Sequence, residues 1–212
     1  MPDWNLQTLT VGPLQMNAYL VWSPATSEAI LVDPGAEPET LRAAVEATGC
    51  RLQHLLCTHG HFDHVGAAAD LQRIWNLPLL CHPADEPLIH AMPQIQAAYG
   101  LPATKPPRLA SELAHRHDIS FGDGSIGVYH VPGHSPGHVM FVLGGDVLVG
   151  DCVFLGSVGR TDLPGASFAE LSRSIREQIY TLPDTTRLLP GHGPPTTVGR
   201  EKNTNPFVNL RR

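Results

Sequence analysis

The sequence predicts an α/β domain in which β-sheets are covered by helices. Short runs rich in Val, Ile, Leu and aromatic residues recur in both halves of the chain, and segments with helical spacing lie between them. The two halves also share an outline: strands come first, a strand then ends in residues of metal-ligand type, and a helix follows. A hydrophobic fraction of 42% and a charged fraction of 16% are typical of a globular domain and not of a disordered chain.

The first half of the chain begins with three strands and a helix. Each strand-like run ends at Gly, Pro, Ser or Asp, and the third is stopped by Asp33-Pro34-Gly35. A helix is predicted next, because Pro38 suits its first turn and Gly49 follows its end. The predicted strands of this half span 6–11, 18–22, 29–32, 52–57 and 77–81, and its helices span 38–48 and 65–75.

The second half begins with a less regular segment, residues 84–116, which has scattered prolines and a weak helical pattern over 89–99. It is interpreted either as a lid or substrate-approach region or as plain packing. Ser167 is a plausible N-cap, and Glu170 completes the spacing of a capping box at the start of a helix over 167–180. The predicted strands are 126–131, 138–143, 146–149 and 187–189, and a last helix over 199–210 is broken by Pro206.

Length and composition restrict the function classes. A chain of 212 residues suits one large domain or two small ones. The net charge of −6 disfavours nucleic acid as a partner, and the scattered cysteines indicate reduced thiols. The N-terminus lacks the pattern of a signal peptide and no apolar stretch could span a bilayer, so we expect a soluble, cytoplasmic protein that does not bind membranes. The sequence carries no signal for an oligomeric state.

A cluster of metal-ligand residue types follows the predicted strand over 52–57. His59 and His61 alternate as the strand ends, and a turn carries Asp63 and His64 past them. Imidazole and carboxylate groups at this density are the ligands used for zinc or iron. A surface loop that is His-rich by chance is the alternative, since the chain has 12 histidines. The position at a strand end, before Gly66 and a helical pattern, favours a metal site.

Three further ligand-type residues also stand where strands are predicted to end. His134 lies between Gly133 and Ser135 in a loop whose glycines permit a tight turn, and His192 lies between two glycines. Asp151 ends an apolar run, where a carboxylate is costly to bury unless something positive compensates it.

This order of residues resembles the metallo-β-lactamase fold superfamily over essentially the whole chain. The resemblance implies an αββα sandwich of two mixed β-sheets flanked by helices, with a dinuclear metal site on one edge, formed by a single domain over 1–212. It also implies two divalent metal ions, with zinc preferred and iron or manganese possible alternatives. It assigns His59, His61 and His134 to the first ion, Asp63, His64 and His192 to the second, and Asp151 to a bridge between them.

The stretch Gly159-Arg160-Thr161-Asp162 and the tail from Gly191 to Phe207 resemble the glyoxalase II group, most closely its short bacterial form without the long C-terminal helical domain. The implied reaction is hydrolysis of S-D-lactoylglutathione to D-lactate and glutathione, by attack of a hydroxide shared by the two ions. Asp63 and Asp151 are the expected catalytic carboxylates, and the expected partner is a small glutathione thioester. The candidate substrate-binding residues are Arg160, Asp162, Arg200 and Lys202. The competing interpretation is an ion pair for Arg160 and Asp162, and an ordinary solvated helix charge for Arg200 and Lys202.

Other functions stay open. A related persulfide dioxygenase shares the Gly-Arg-Thr-Asp stretch and uses one iron, for which the ligands would be His59, His134 and Asp151. The full second ligand set favours hydrolysis over that alternative. A lactonase, a β-lactamase and a metal-binding protein without turnover are the remaining possibilities.

Overall fold

The computed structural model describes residues 3–110 and 112–210, so both ends of the predicted 1–212 domain lie just outside the described residues. Within that part the strands form two six-stranded sheets and one short hairpin. The strands are β1 (Asn5–Val11), β2 (Met16–Ser23), β3 (Glu28–Val32), β4 (Arg51–Leu56), β5 (Leu79–Leu80), β6 (Leu109–Ala110), β7 (His117–Phe121), β8 (Gly124–His130), β9 (Val139–Leu143), β10 (Asp146–Gly150), β11 (Val153–Phe154), β12 (Ser157–Val158), β13 (Arg187–Pro190) and β14 (Thr196–Thr197).

Both sheets are mixed. The first has the order β1-β2-β3-β4-β5-β6, with antiparallel pairs up to β3 and parallel pairs from β3 onward. The second has the order β14-β13-β10-β9-β8-β7, in which the β10–β13 pair is parallel. Parallel neighbours require crossover segments, and these carry most of the helices. Parallel strands also end at the same edge, so β3, β4, β10 and β13 deliver the residues that follow them to a common side of the molecule.

The helices cover the outer faces of the two sheets. They are α1 (Pro38–Ala47), α2 (Phe62–Val65), α3 (Ala68–Trp75), α4 (Glu86–Ala98), α5 (Phe168–Ser174) and α6 (Val198–Thr204). A 3-10 turn, Pro83–Asp85, precedes α4, and a π-helical turn, Ile175–Ile179, continues α5. None of the helices in the described part of the chain is long and apolar enough to cross a membrane.

Three buried clusters show the layering. Between the sheets, Ile30 and Leu56 of the first pack with Phe141 and Leu148 of the second. The outer face of the first sheet is covered by residues of α1, α3 and α4, and that of the second by residues of α5 and its continuation. The predicted αββα sandwich is therefore confirmed.

Several boundaries differ from the sequence-based expectations. The helix expected over 65–75 begins at Ala68 as α3, and the short helix α2 precedes it. Helix α4 is longer than the weak pattern over 89–99 indicated, with Pro93 inside it. The last helix ends at Thr204 and does not run to residue 210. Asn205 is extended (φ −62°, ψ 122°), as expected for a residue before a proline, which also lacks an N–H to continue the helix.

Candidate metal centre

The seven ligand candidates meet at the edge where β4, β10 and β13 end. His59 and His61 follow β4, His64 lies in α2, Asp151 follows β10 and His192 follows β13. Three overlapping groups have ligand atoms within 4.8 Å of one another: His59–His61–His134, His59–His64–Asp151 and Asp63–His64–His192. All the predicted ligands are thus brought together in one continuous cluster.

The first group consists of three imidazoles. His61 Nδ1 and His134 Nε2 face each other at 3.0 Å, and the His59 ring lies edge-on to both, with centroid distances of 4.7 and 4.8 Å. Three imidazole nitrogens converging on one point are a common ligand set for zinc. This arrangement agrees with the assignment of these three residues to the first ion.

The second group, Asp63–His64–His192, is the set assigned to the second ion. It contains one carboxylate and two imidazoles. His192 Nε2 lies 3.2 Å from Asp63 Oδ2, and His64 Nε2 lies 3.9 Å from the same oxygen. Asp151 stands between the groups: Oδ1 lies 3.5 Å from His64 Nε2 and Oδ2 lies 3.6 Å from His134 Nε2. The predicted bridging position of Asp151 fits these distances.

The cluster leaves buried polar atoms unsatisfied. His59 Nε2, His64 Nε2 and Asp151 Oδ1 are buried without a hydrogen-bond partner among the described residues. Leaving such atoms unpaired is costly, and natural proteins rarely do so without a reason. Because all three point into the cluster and are of ligand type, the residues fit two divalent cations.

In three of the ligand histidines, the ring nitrogen that faces away from the cluster is held by a neighbouring group. His134 Nδ1 donates to the Arg160 carbonyl at 2.8 Å, and His192 Nδ1 donates to the Leu14 carbonyl at 3.1 Å. His64 Nδ1 lies 3.0 Å from Asp33 Oδ2. Fixing one nitrogen in this way directs the lone pair of the other toward a metal.

Asp33 was missed as a functional residue by the sequence analysis, which treated Asp33-Pro34-Gly35 only as a strand stop. Its buried carboxylate accepts hydrogen bonds from the Thr58 backbone N–H at 2.6 Å and the Thr58 hydroxyl at 2.8 Å, besides contacting His64. The signal was available, since a lone Asp after an apolar strand is the pattern that singled out Asp151.

Protonation differs between the two groups. Burial lowers the pKa of both His61 and His134 to about 4, so these imidazoles are neutral near pH 7. Burial also acts to lower the pKa of His64, but the carboxylates of Asp151 and Asp33 outweigh it and raise that pKa to about 10. For Asp63, nearby His64 and His192 outweigh burial and lower the pKa, so its carboxylate is ionised.

Two buried side chains support Asp151 from behind. His138 Nε2 accepts a hydrogen bond from the Asp151 N–H at 3.0 Å, and the His138 ring stacks on His59 at 4.9 Å. Cys152 Sγ lies 3.4 Å from His138 Nδ1 within the core of the second sheet. The Cys152 side chain is thus buried in the core and does not face the ligand cluster.

The candidate substrate-binding residues divide into two places. Arg160 lies beside the first group, where its guanidinium makes two bonds of 2.8 Å to the Asp162 carboxylate, so the expected ion pair is present. Lys202 Nζ lies 2.8 Å from Asp184 Oδ1, and Arg200 is an exposed residue of α6. Their roles toward a substrate stay predictions.

A mainly apolar cavity opens beside Asp63. Its volume is about 240 Å³, and its lining includes Leu14, Phe62, Leu101 and Pro102. This volume lies below the roughly 300–1,000 Å³ of typical small-molecule pockets.

The chain is similar to known proteins over nearly its whole length. The family model described as the metallo-beta-lactamase superfamily matches residues 11–192. The hydroxyacylglutathione hydrolase GloC of Haemophilus influenzae is 36% identical over 214 residues, which cover 98% of this chain and 99% of that protein.

Two solved structures share the fold at notable identity. The di-iron-bound form of TTHA1623 superposes with a TM-score of 0.86 at 46% identity, covering 95% of this chain and 99% of the other. The B3 metallo-beta-lactamase BLEG-1 gives the same TM-score, 0.86, at 32% identity, covering 96% and 99%. Both comparisons extend over nearly the full length of the chain.

Proposed function

The chain belongs to the metallo-beta-lactamase superfamily, and we propose that it is a metallohydrolase that cleaves thioesters, with S-D-lactoylglutathione as the leading substrate. The observation that carries the proposal is the cluster of seven ligand candidates in three overlapping groups, with unsatisfied ligand atoms inside it. The similarity to a hydroxyacylglutathione hydrolase supports the choice of a glutathione thioester.

Two divalent cations, which we propose to be zinc, would be held by the two ligand groups with Asp151 between them. When bound, such ions supply Lewis acidity and bring the pKa of a water close to neutrality. The similarity to a di-iron-bound protein makes iron the principal competing metal.

The carboxylates of Asp63 and Asp151 would orient the attacking water by accepting hydrogen bonds from it. The water oxygen forms a bond to the acyl carbon while the C–S bond breaks and its electron pair goes to sulfur. The products are a carboxylate and a thiolate, and the two protons of the water pass to solvent. Because a thiol has a pKa of about 8.5, the leaving group does not need a dedicated general acid.

We propose that Arg160 and Asp162 contact the glutathione portion, since they lie beside the first group, and that Arg200 and Lys202 contribute from α6. Neither nucleic acid nor a membrane is part of the proposal.

The test combines metal analysis with kinetics on purified protein. We expect close to two metal ions per chain and hydrolysis of S-D-lactoylglutathione, both lost in Asp151→Asn. Lys202→Met serves as a milder variant, in which hydrolysis of a non-glutathione thioester should be retained while KM for the glutathione substrate rises. One iron per chain with oxygen uptake on glutathione persulfide would instead establish the dioxygenase alternative. Full metal loading without hydrolysis of any thioester or lactone would indicate a binding protein.

A further inference from the structure

Another buried carboxylate, that of Asp85, lies behind the first ligand group. It is fully buried and directly precedes α4. An Asp at this position usually caps the helix by accepting from its first N–H groups. The Asp85 side chain makes no such bond to the helix.

The carboxylate accepts three hydrogen bonds from the loops that carry the first ligand group. Oδ2 accepts from the Gly60 N–H at 2.8 Å and from the Ser135 hydroxyl at 2.7 Å. Oδ1 accepts from the Gly137 N–H at 2.6 Å. Bonds of this length to an ionised acceptor are about twice as strong as neutral ones. Both loops are therefore tied to one carboxylate.

The loops close on Asp85 because two of its partners are glycines. A Cβ atom at Gly60 would lie 2.8 Å from the Asp85 carbonyl oxygen, and one at Gly137 would lie 2.8 Å from the Asp85 carboxyl carbon. Gly60 stands between His59 and His61, while Ser135 follows His134 directly. Every residue of the first ligand group is thus next to a group that Asp85 holds.

We propose that Asp85 is a positioning residue for the first metal, which sets the separation of the His59–His61 loop from the His134 loop. The second group is oriented by other partners, namely Asp33 for His64 and the Leu14 carbonyl for His192. Asp85 therefore acts on one of the two ions selectively. The inference rests on the proposed function in one respect, that metal ions occupy both groups.

The test is the zinc affinity of Asp85→Asn, measured with a competing chromophoric chelator. The asparagine amide cannot accept at both oxygen positions, so at least one of the Gly60 and Gly137 N–H groups faces another donor. In a His192→Ala background, which isolates the first site, we expect Asp85→Asn to weaken zinc binding by about 10- to 100-fold. In a His61→Ala background, which isolates the second site, we expect Asp85→Asn to change the zinc affinity by less than about threefold. Loss of a residue that supports this site would weaken binding by at least about 10-fold.

Glu201→Gln is the matched control for general destabilisation. Glu201 is also fully buried and accepts three hydrogen bonds, from Thr196 Oγ1, Gly156 N and Asn205 Nδ2, but these belong to α6 and its surroundings. Glu201→Gln should lower the thermal stability about as much as Asp85→Asn does. It should not cause a comparable loss of zinc affinity at the first site. Equal loss in both variants would overturn the positioning role.

Ser135→Ala is a milder variant. It removes one hydrogen bond to the Asp85 carboxylate and does not place two hydrogen-bond donors against each other. We expect it to weaken first-site zinc binding several-fold, and an unchanged affinity in both Ser135→Ala and Asp85→Asn would contradict the inference. A wild-type chain that binds no zinc would overturn the proposed function together with this role. Two zinc ions in wild type with an unaltered first site in Asp85→Asn would overturn the role of Asp85 alone.

Discussion

At the scale of single residues, the imidazoles of the two ligand groups have opposite protonation preferences. Burial lowers the pKa of His61 and His134 to about 4, whereas carboxylates raise that of His64 to about 10 despite its burial. The unfolded chain has the ordinary histidine pKa of 6.5 in all three cases. Folding therefore excludes protons from the first group and takes one up at the second.

These shifts predict the pH dependence of the metal-free protein. Between pH 6.5 and 4 the unfolded state protonates His61 and His134 while the folded state does not, so stability falls as the pH is lowered. The contribution of His64 is fully present below pH 6.5 and is lost as the pH rises through about 10. We expect the contribution of these groups to the free energy of unfolding to peak near neutrality.

Denaturant titrations of chelator-treated protein across this range provide the measurement. His61→Ala should flatten the acid side of the curve, because it removes one of the two imidazoles whose pKa is lowered by burial. The same acid-side slope in wild type and His61→Ala would contradict the conclusion that folding lowers the pKa of His61.

A substitution at Asp63 distinguishes the two metal sites, because this residue is assigned to the second ion alone. Its carboxylate contacts His192 and lies near His64, but it belongs to neither group that contains His59. We expect Asp63→Ala to lose most of the second ion and to retain partial occupancy of the first. Metal content by mass spectrometry measures this, with wild type as the reference. Equal loss of both ions would argue against the division into two sites.

At the scale of elements, the His134 loop is fitted against α5 through Gly133. Gly133 has a φ of +133°, and a Cβ there would lie 2.2 Å from the Leu171 backbone nitrogen. We expect Gly133→Ala to lower the free energy of unfolding by about 2–4 kcal/mol, because overpacking adds to backbone strain. Because the helix must move or the loop must shift, we also expect weaker binding of the first ion.

Gly145→Ala is the control, since a Cβ at Gly145 meets nothing within 4 Å. Its effect should stay within about 0.5 kcal/mol. Urea denaturation of both variants checks the pair. A cost for Gly133→Ala no larger than that for Gly145→Ala would show that the loop is not fitted to the helix.

The elements also show what local sequence could predict. The N-cap Ser167 accepts from the Glu170 N–H as expected, but the Ser167 N–H donates to the Gly133 carbonyl and not to Glu170. The capping position was visible in the local pattern, whereas the partner came from a distant loop. Likewise Asp85 reads locally as a helix cap, and its three partners lie about 25 and 50 positions away.

At the scale of the whole molecule, the metal centre joins the two sheets. His59, His61, Asp63 and His64 belong to the half that builds the first sheet, and His134, Asp151 and His192 belong to the second. Binding that is confined to the folded state stabilises it by about 4 kcal/mol when the free ion exceeds its Kd 1,000-fold. We expect chelation to lower the melting temperature by several degrees and added zinc to restore it.

Differential scanning calorimetry with and without chelator tests this expectation. Asp151→Asn should melt at nearly the same temperature in both conditions, because it lacks the bridging carboxylate. Wild-type protein whose melting temperature is unaffected by the chelator would contradict a centre that joins the sheets.

The fold class was predictable because periodic apolar runs and glycine-flanked ligands are spread over the whole chain. The two-sheet layering and the ligand assignment were implied by the resemblance to the metallo-β-lactamase fold superfamily, which rests on the order His59, His134, Asp151 and His192. The irregular segment 84–116 was harder, since Pro93 obscures the pattern of α4. Orienting partners such as Asp33 and Asp85 depend on which strand ends become neighbours, and that information lies in tertiary structure.

The position of β13 has a consequence for synthesis on the ribosome. β13 lies between β10 and β14 in the second sheet, yet it is among the last strands to be made, and His192 follows it. Until it emerges, β10 has an unpaired edge, and such edges invite pairing with other chains. A nascent chain therefore carries the His59–His64 loop for more than half of its length before the second ion can bind. The late position of β13 makes His192 the last of the seven ligand candidates to be synthesised.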